Sequence, residues 1–518
     1  MRKQLRVWQA GIMGAVAAAA FEGGAASVKV DTLVDRRDGT TTSIQALLQN
    51  PGADEKISLR EAILATNATS GADTITFSVK GIIAPNSELP AVSDDRGGTT
   101  IDGGNDITLD GHTAGTSGVD GLVVDSADNI IQNLTIVRFS GAGILITGLS
   151  ARDNTVRGCR IGIKSDGLPG FGNGGSGVQL TRGANENLVG GTTAATRNII
   201  SGNAAGLFGI TARAGVSMDG VGTKLNVVTG NYIGLDNTGN LPVGNRASGV
   251  ALTGGARENV IGGAATGAGN IISANVRHGI EIRGSGSNNN FIAGNNIGTN
   301  AAGTKDLGNG DHGIFISENA SSNEIANEAA NSENLIFGNG EDGIRVNGAV
   351  TQRNTIWPNI IHGNDGEGIR LSSQGNGGVD APMILAGEPV NGTATPRSVV
   401  DVFADEEDEG EVYLDTVTTA SDGTWETGIS LADQDGMNVT ATATDVAGNT
   451  SAFSIPFPEG GEGEGEGEGE GEGEGEGEGE KVPPVCGPQG QGGSWWDELL
   501  MVGMLAAVLG WRGRRAAE

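Results

Sequence analysis

Five residues set the chemical question. Ser248, His278, His312, Asp342 and Glu367 each stand immediately before a glycine that opens a short apolar stretch. If those stretches are successive turns of one repeat, the five side chains form a column, one strand spacing apart. Two imidazoles beside two acids in such a column could hold a metal or share a proton in acid–base work. Two residues beyond each glycine, the same alignment places Glu281, Phe315, Arg345 and Arg370, a mixed surface able to contact a sugar. Such a column could supply a base for an elimination or paired carboxylates for a hydrolysis. The residue before the glycine is also a turn position, where polar side chains are expected without chemistry, and that plainer reading outweighs the catalytic one.

What must position these residues is a repeat. A glycine followed by a short alternating strand recurs as Gly121-Leu-Val-Val, Gly143-Ile-Leu-Ile, Gly177-Val-Gln-Leu, Gly215-Val-Ser-Met and Gly249-Val-Ala-Leu, and continues as Gly279-Ile-Glu-Ile, Gly313-Ile-Phe-Ile, Gly343-Ile-Arg-Val and Gly368-Ile-Arg-Leu. A second class opens with asparagine, as in Asn154-Thr-Val, Asn187-Leu-Val and Asn259-Val-Ile. A third follows it, as in Gly230-Asn-Tyr-Ile-Gly and Gly294-Asn-Asn-Ile-Gly. Three short strands per coil predict an all-β chain, a right-handed parallel β-helix over residues 102–384 with Ile, Val and Leu stacked inward. Glycine is assigned to positive-φ corners. Asparagine is assigned to the turns, where it tolerates left-handed backbone and bonds its neighbours. A longer pattern, G-x4-G-x4-G-N, ends at Asn173, Asn245 and Asn309 and predicts the same hairpin-like loop three times.

The flanks place this rod in a larger organisation. Ser58 with Glu61 three residues on is a capping box, and Leu59, Ala62, Ile63 and Thr66 fall on one helical face. With the alternating run Asp73-Thr-Ile-Thr-Phe77, this predicts a cap in residues 27–101 over the open end of the solenoid. Leu59-Arg-Glu-Ala-Ile63, Asn67-Ala68 and Gly71-Ala-Asp-Thr-Ile-Thr-Phe77 resemble the CSLREAI domain of secreted bacterial β-helix proteins, with Ile57 where that family has Cys. The resemblance implies architecture and export, not chemistry. Residues 385–457 alternate like antiparallel strands. Ser421-Asp-Gly-Thr-Trp425 and the run from Ala441 to Thr450 resemble bacterial Ig-like modules, which implies a small β-sandwich acting as a spacer or binding domain.

Residues 1–26 read as a secretory signal, with Arg2, Lys3 and Arg6 before an apolar run and small residues at Ala25-Ala26-Ser27. Residues 458–491, dominated by Gly-Glu dipeptides, predict an extended acidic linker. Residues 492–518 resemble the C-terminal sorting signals of Gram-negative bacteria, of the Gly-Gly type handled by rhombosortases. That resemblance implies membrane association before processing at Gly492-Gly493-Ser494, with Cys486 as an alternative processing or attachment residue.

Charge and composition narrow the function. A net charge of −31 argues against nucleic acid, whose binding needs clustered cations. It also repels anionic glycans unless a cation bridges the two, calcium being the ion such carboxylates would take. No resident metal site or cofactor is assigned. Cys159 and Cys486 are too few for a disulfide framework. The resulting reading is a non-catalytic cell-surface or secreted protein that adheres to, or binds, a surface glycan or envelope component through a β-helix rod. The alternative is a polysaccharide lyase or glycoside hydrolase working on the helix face, as in β-helices resembling pectate lyases. Asp311-His312-Gly313 resembles the Gly-His-Gly of polygalacturonases, but the accompanying Asn-Thr-Asp, Asp-Asp and Arg-Ile-Lys elements are not present in matching order.

Overall fold

The computed structural model describes residues 25–94, 97–204, 213–434 and 437–457. The expected signal, acidic linker and sorting segment, with Cys486, Gly492, Gly493 and Ser494, lie outside the described residues.

The chain winds into a right-handed parallel β-helix with three strand columns. One sheet holds nine strands in sequence order, from Leu122–Val124 to Ile369–Ser372, every neighbour parallel. Its inward column runs without a slip through Val178, Val216, Val250, Ile280, Ile314, Ile344 and Ile369. A second column passes through Thr155–Arg157, Leu188–Gly190, Val227–Thr229, Val260–Gly262 and Phe291–Ala293, and a third through Arg160–Ile161, Ile199–Ile200, Tyr232–Ile233 and Ile271–Ile272. Each coil therefore contributes apolar side chains to one continuous core, worth about 1.5–3 kcal/mol per fully buried Ile, Leu or Val. The ladder starts ahead of residue 102. Ser27–Val30 pairs with Asp73–Phe77, which pairs with Thr99–Asp110, so the first coils already run under the N-terminal helices.

Those helices are Ile44–Gln49 and Leu59–Asn67, the latter with the capping box at Ser58 and Glu61 formed in both directions. Ile57 is buried in the core. Cys159 is free and fully buried, and burial pushes its thiol up to about 12.

Two sequence assignments change at the corners. The recurrent corner asparagines, such as Asn129, Asn154, Asn187, Asn226, Asn259 and Asn290, do not take the left-handed conformation; the residue before them often does, as at Asp128, Asp153, Glu186, Leu225, Glu258, Asn289, Ser322 and Arg353. Each Asn itself is buried with its amide stacked on the next. One ladder runs Asn129, Asn154, Asn187, Asn226, Asn259, Asn290, Asn323 and Asn354, every Nδ2 donating to the next Oδ1 at 2.9–3.1 Å. A second runs from Asn198 to Asn359 and a third from Asn173 to Asn364. The reason is satisfaction: each Oδ1 also accepts the backbone N–H of the preceding coil's Asn, so a buried corner leaves its donors paired.

The strand-opening glycines are likewise not positive-φ residues. A Cβ on Gly279 would lie 2.6 Å from Ile297 Cγ2 and 2.7 Å from the Gly313 carbonyl, so close packing, not backbone conformation, requires glycine there. Positive φ falls instead on corner glycines such as Gly230, Gly234 and Gly294.

Two of the three G-x4-G-x4-G-N loops, those ending at Asn245 and Asn309, close as hairpins. Leu235 bridges Pro242 and Thr299 bridges Asp306, both antiparallel. Part of the third column's outward face is apolar. Ile199 and Tyr232 pack with Ile163 and Val243 in a small cluster separate from the main core, with Ile271 and Ala301 against it.

After the last coil come two three-stranded antiparallel sheets around Val390, Val400, Val402, Trp425 and Val439, a small β-sandwich. It docks on the coil rather than standing off as a spacer. Ile361 and Gly410 form an antiparallel bridge, Phe453 packs on the helix core, and Thr450 bonds both Ile356 and Asn376. Glu409 ends the third ladder, accepting the Asn364 N–H at 3.3 Å and its Nδ2 at 3.2 Å, as the next Asn would.

Candidate functional site

The register of the first sheet brings the predicted column together. Because Val250, Ile280, Ile314, Ile344 and Ile369 are stacked partners, Ser248, His278, His312, Asp342 and Glu367 occupy equivalent positions on five successive coils. Pairing also stacks Glu281, Phe315, Arg345 and Arg370 directly. The His278 and His312 rings lie parallel, 2° apart with centroids 5.2 Å apart, and Phe315 packs against both at 4.7 and 5.3 Å.

Exposure divides the set. Ser248, His278, Glu281, His312 and Asp342 are buried, Phe315 and Arg345 are half-buried, and Glu367 and Arg370 are exposed. Glu281 is therefore no sugar-contacting surface group. It accepts from Ser248 Oγ at 2.9 Å and lies 3.8 Å from Arg277 and 3.6 Å from Arg283. Asp342 accepts the Glu367 N–H at 3.1 Å, with Arg345 and Arg370 each 3.8 Å away.

The histidines are held neutral. Burial, with the Arg277 guanidinium beside it, pulls His278 down to about 2. Its Nε2 accepts from Arg277 at 3.1 Å, and its Nδ1 faces Asp311 at 3.6 Å, beyond hydrogen-bond range. His312 is also lowered, first by burial; Asp342 and Glu341 oppose that shift. Its Nδ1 accepts the backbone N–H of Asp342 at 3.1 Å, which assigns the proton to Nε2, 3.0 Å from Glu341. The Asp342 carboxylate, 3.3 Å from Nδ1, thus faces a lone pair. Glu341 is placed to hold the Nε2 proton as a dyad carboxylate does, but a dyad also needs the other nitrogen free to take a proton, and here Nδ1 is taken by the Asp342 N–H. Here both nitrogens of His312 are engaged within the protein.

Three participants escaped the sequence reading: Arg277, Asp311 and Glu341. All lie two residues before the glycine, adjacent to the column on successive coils, and Arg277 lies 3.5 Å from Asp311. Extending the same alignment by one position would have found them. Among the described residues, no group of three or more His, Cys, Asp or Glu side chains is arranged to hold a metal.

No protein-family model matches the chain, and no curated protein matches it. Among solved structures, the chain is similar to the pectate lyase Pel9A at 13% identity, covering 67% of this chain and 75% of that one with a TM-score of 0.33. It is similar to the periplasmic alginate epimerase AlgG at 11% identity, covering 67% and 82% with a TM-score of 0.30. Full-length tailspike protein 2 from Escherichia coli O157:H7 bacteriophage CAB120 is similar at 12% identity, covering 82% and 68% with a TM-score of 0.28.

Proposed function

We propose that this chain is a non-catalytic surface protein that binds a glycan or envelope component along the first sheet of its β-helix. The observation that carries the reading is the internal engagement of the one candidate acid–base cluster. His312 has both nitrogens occupied, and Asp342 and Glu281 are buried among arginines, while Arg345 and Arg370 reach outward beside Phe315. Such a surface offers planar donors and a ring face to sugar hydroxyls, and the carboxylates exposed beside it, Glu341 and Glu367, lie against His312 and Arg370. Under the same reading the CSLREAI-like cap and the Ig-like module close the two ends of an exported rod. The N-terminal signal and the C-terminal sorting segment then direct it to the surface or outer membrane of a Gram-negative cell. No helix among the described residues is long and apolar enough to cross a membrane.

The test pairs binding with turnover. The full chain is screened on a glycan panel, and each captured glycan is then incubated with the protein, with and without calcium, and assayed for new chain ends. Binding without new ends, lost in the Arg345→Ala/Arg370→Ala double variant, is the expected result. Time-dependent cleavage that disappears in His312→Ala or Asp342→Ala would overturn the reading in favour of a lyase or hydrolase.

A further inference from the structure

A second polar site lies on a different column of the solenoid. A half-open cavity of about 350 Å³ is lined by Asn105, Arg160, Ala195, Arg197, Ile199 and Asn237 among its walls. Parallel pairing supplies the floor, because Arg160 stacks under Ile199 on the next coil of the third column. The walls come from distant segments: the bulge in Thr99–Asp110 that carries Asn105, the loop that ends at Arg197, and the hairpin that carries Asn237.

Two guanidinium groups share this cavity in a chain of net charge −31, and among the described residues neither makes an ion pair. Some other arginines of the chain are matched with acids, as Arg60 is with Asp35 at 2.8 Å and Arg138 with Asp110. Arg197 is fixed in place: its Nε donates to the Gly230 carbonyl at 3.2 Å, its Nη1 to Tyr232 Oη at 3.0 Å, and its Cζ sits 4.1 Å over the Tyr232 ring. Arg160 is less engaged. Its Nη1 reaches Asn105 only at 3.5 Å, and its Nε is buried without a hydrogen-bond partner. A buried guanidinium N–H without an acceptor carries a desolvation penalty. Two planar forks match a carboxylate, the amides of Asn105 and Asn237 suit neighbouring hydroxyls or carbonyls, and Ile199 with Ala195 supplies an apolar floor. The volume lies at the small end of ligand sites, enough for one ring or a short organic acid.

We infer that this cavity is a binding site for a carboxylate-bearing small ligand, held between Arg160 and Arg197. The ligand is either a sugar acid or a simple organic acid, and the site works independently of the first-sheet surface.

The test is calorimetric titration of the full chain with D-glucuronate, acetate, sulfate and glucose at low salt, beside melting curves with and without each compound. The expected result is saturable binding of one or both carboxylates, weakened about tenfold or more in Arg160→Gln and also weakened in Arg160→Lys, which keeps the charge but loses the fork. Unliganded Arg160→Gln should melt no lower than wild type, since it removes an unsatisfied N–H. Glucuronate binding more tightly than acetate assigns the sugar acid, and equal binding assigns the carboxylate alone. Three results would overturn the site: no carboxylate binding up to about 50 mM, equal affinity in wild type and Arg160→Gln, or glucose or sulfate binding as tightly as glucuronate.

Discussion

Asn259→Ala interrupts one corner ladder in mid-rod, and its cost can be worked out bond by bond. Asn259 Oδ1 accepts the Asn226 backbone N–H and the Asn226 Nδ2, both at 3.0 Å. Its own Nδ2 and backbone N–H both donate to Asn290 Oδ1 at 3.1 Å. Alanine keeps the last of these and removes the other three, together with the longer bond from Nδ2 to the Thr223 carbonyl at 3.5 Å. Two buried donors of Asn226 are left without an acceptor, at about 1–3 kcal/mol each, so the substitution should cost roughly 2–6 kcal/mol. Asn259→Asp separates the donor from the acceptor role. The carboxylate still accepts from Asn226, but its second oxygen faces Asn290 Oδ1 with no proton between them. Burial raises the folded-state pKa of such an Asp above its unfolded value of about 3.9. The protonated form is then the one the fold favours, so stability is fully present below about pH 4 and is lost as pH rises through the folded pKa. The Asp variant should approach wild type in acid and fall away towards neutrality, while the Ala variant keeps a constant deficit. Urea unfolding gives the global change. Hydrogen exchange at the Asn226 amide gives the local one, which matters because coils of a solenoid open by neighbourhood rather than all at once. An Ala variant within about 1 kcal/mol of wild type, with Asn226 exchange unchanged, would refute the claim that the ladders hold the corners.

Two further outcomes follow from the same geometry. Burial, together with Asp405 and Asp408, pushes Glu409 from its ordinary 4.5 up to about 7 despite the bonds from Asn364. The folded state therefore binds the extra proton, and docking of the sandwich on the last coil should weaken as pH rises from about 4.5 through 7, by on the order of 3 kcal/mol. Glu409→Gln should flatten most of that slope, measured by hydrogen exchange at Ile361 and Gly410. Asp401, raised by burial to about 6, leaves a remainder of the same sign. Gly279→Ala should destabilise by about 1–3 kcal/mol through overpacking against Ile297 and the Gly313 carbonyl. Thermal melts check it, and a neutral result would show that the glycine is there for another reason.

The sequence carried the coil register because it depends on a repeated type at a repeated place. Gly279, Gly313 and Gly343, each followed by an apolar residue that must face inward, leave only one stacking in which Ile280, Ile314 and Ile344 share a column. The same logic aligns His278, His312 and Asp342 in one column. The corners were less legible. Asparagine recurs along all three ladders, but the left-handed residue beside the first of them is Asp128, Glu186, Leu225 or Arg353, with no common side chain to signal it. The Asn pattern records a hydrogen-bond requirement, and its backbone consequence falls one residue earlier. The cavity between Arg160 and Arg197 was invisible for a different reason: Asn105, Arg160 and Asn237 meet only through coil stacking and loop folding that no short motif encodes.

The histidine column shows how far residue type alone can be taken. Two His and an Asp at strand spacing look like acid–base machinery, because type and spacing are what a sequence displays. Chemistry depends on two further properties, solvation and proton position. Burial makes the imidazolium forms of His278 and His312 costly. A single backbone N–H from Asp342 then occupies the His312 nitrogen that a dyad would keep free. Neither property leaves a mark in composition or periodicity, since both depend on which atoms the neighbouring coil presents. If Asp342 were a residue whose backbone N–H pointed elsewhere, the same three side chains could take a proton from a substrate. In this chain Arg277 and the Asp342 backbone engage the two imidazoles, and the groups reaching solvent beside them are Arg345, Arg370, Glu341 and Glu367.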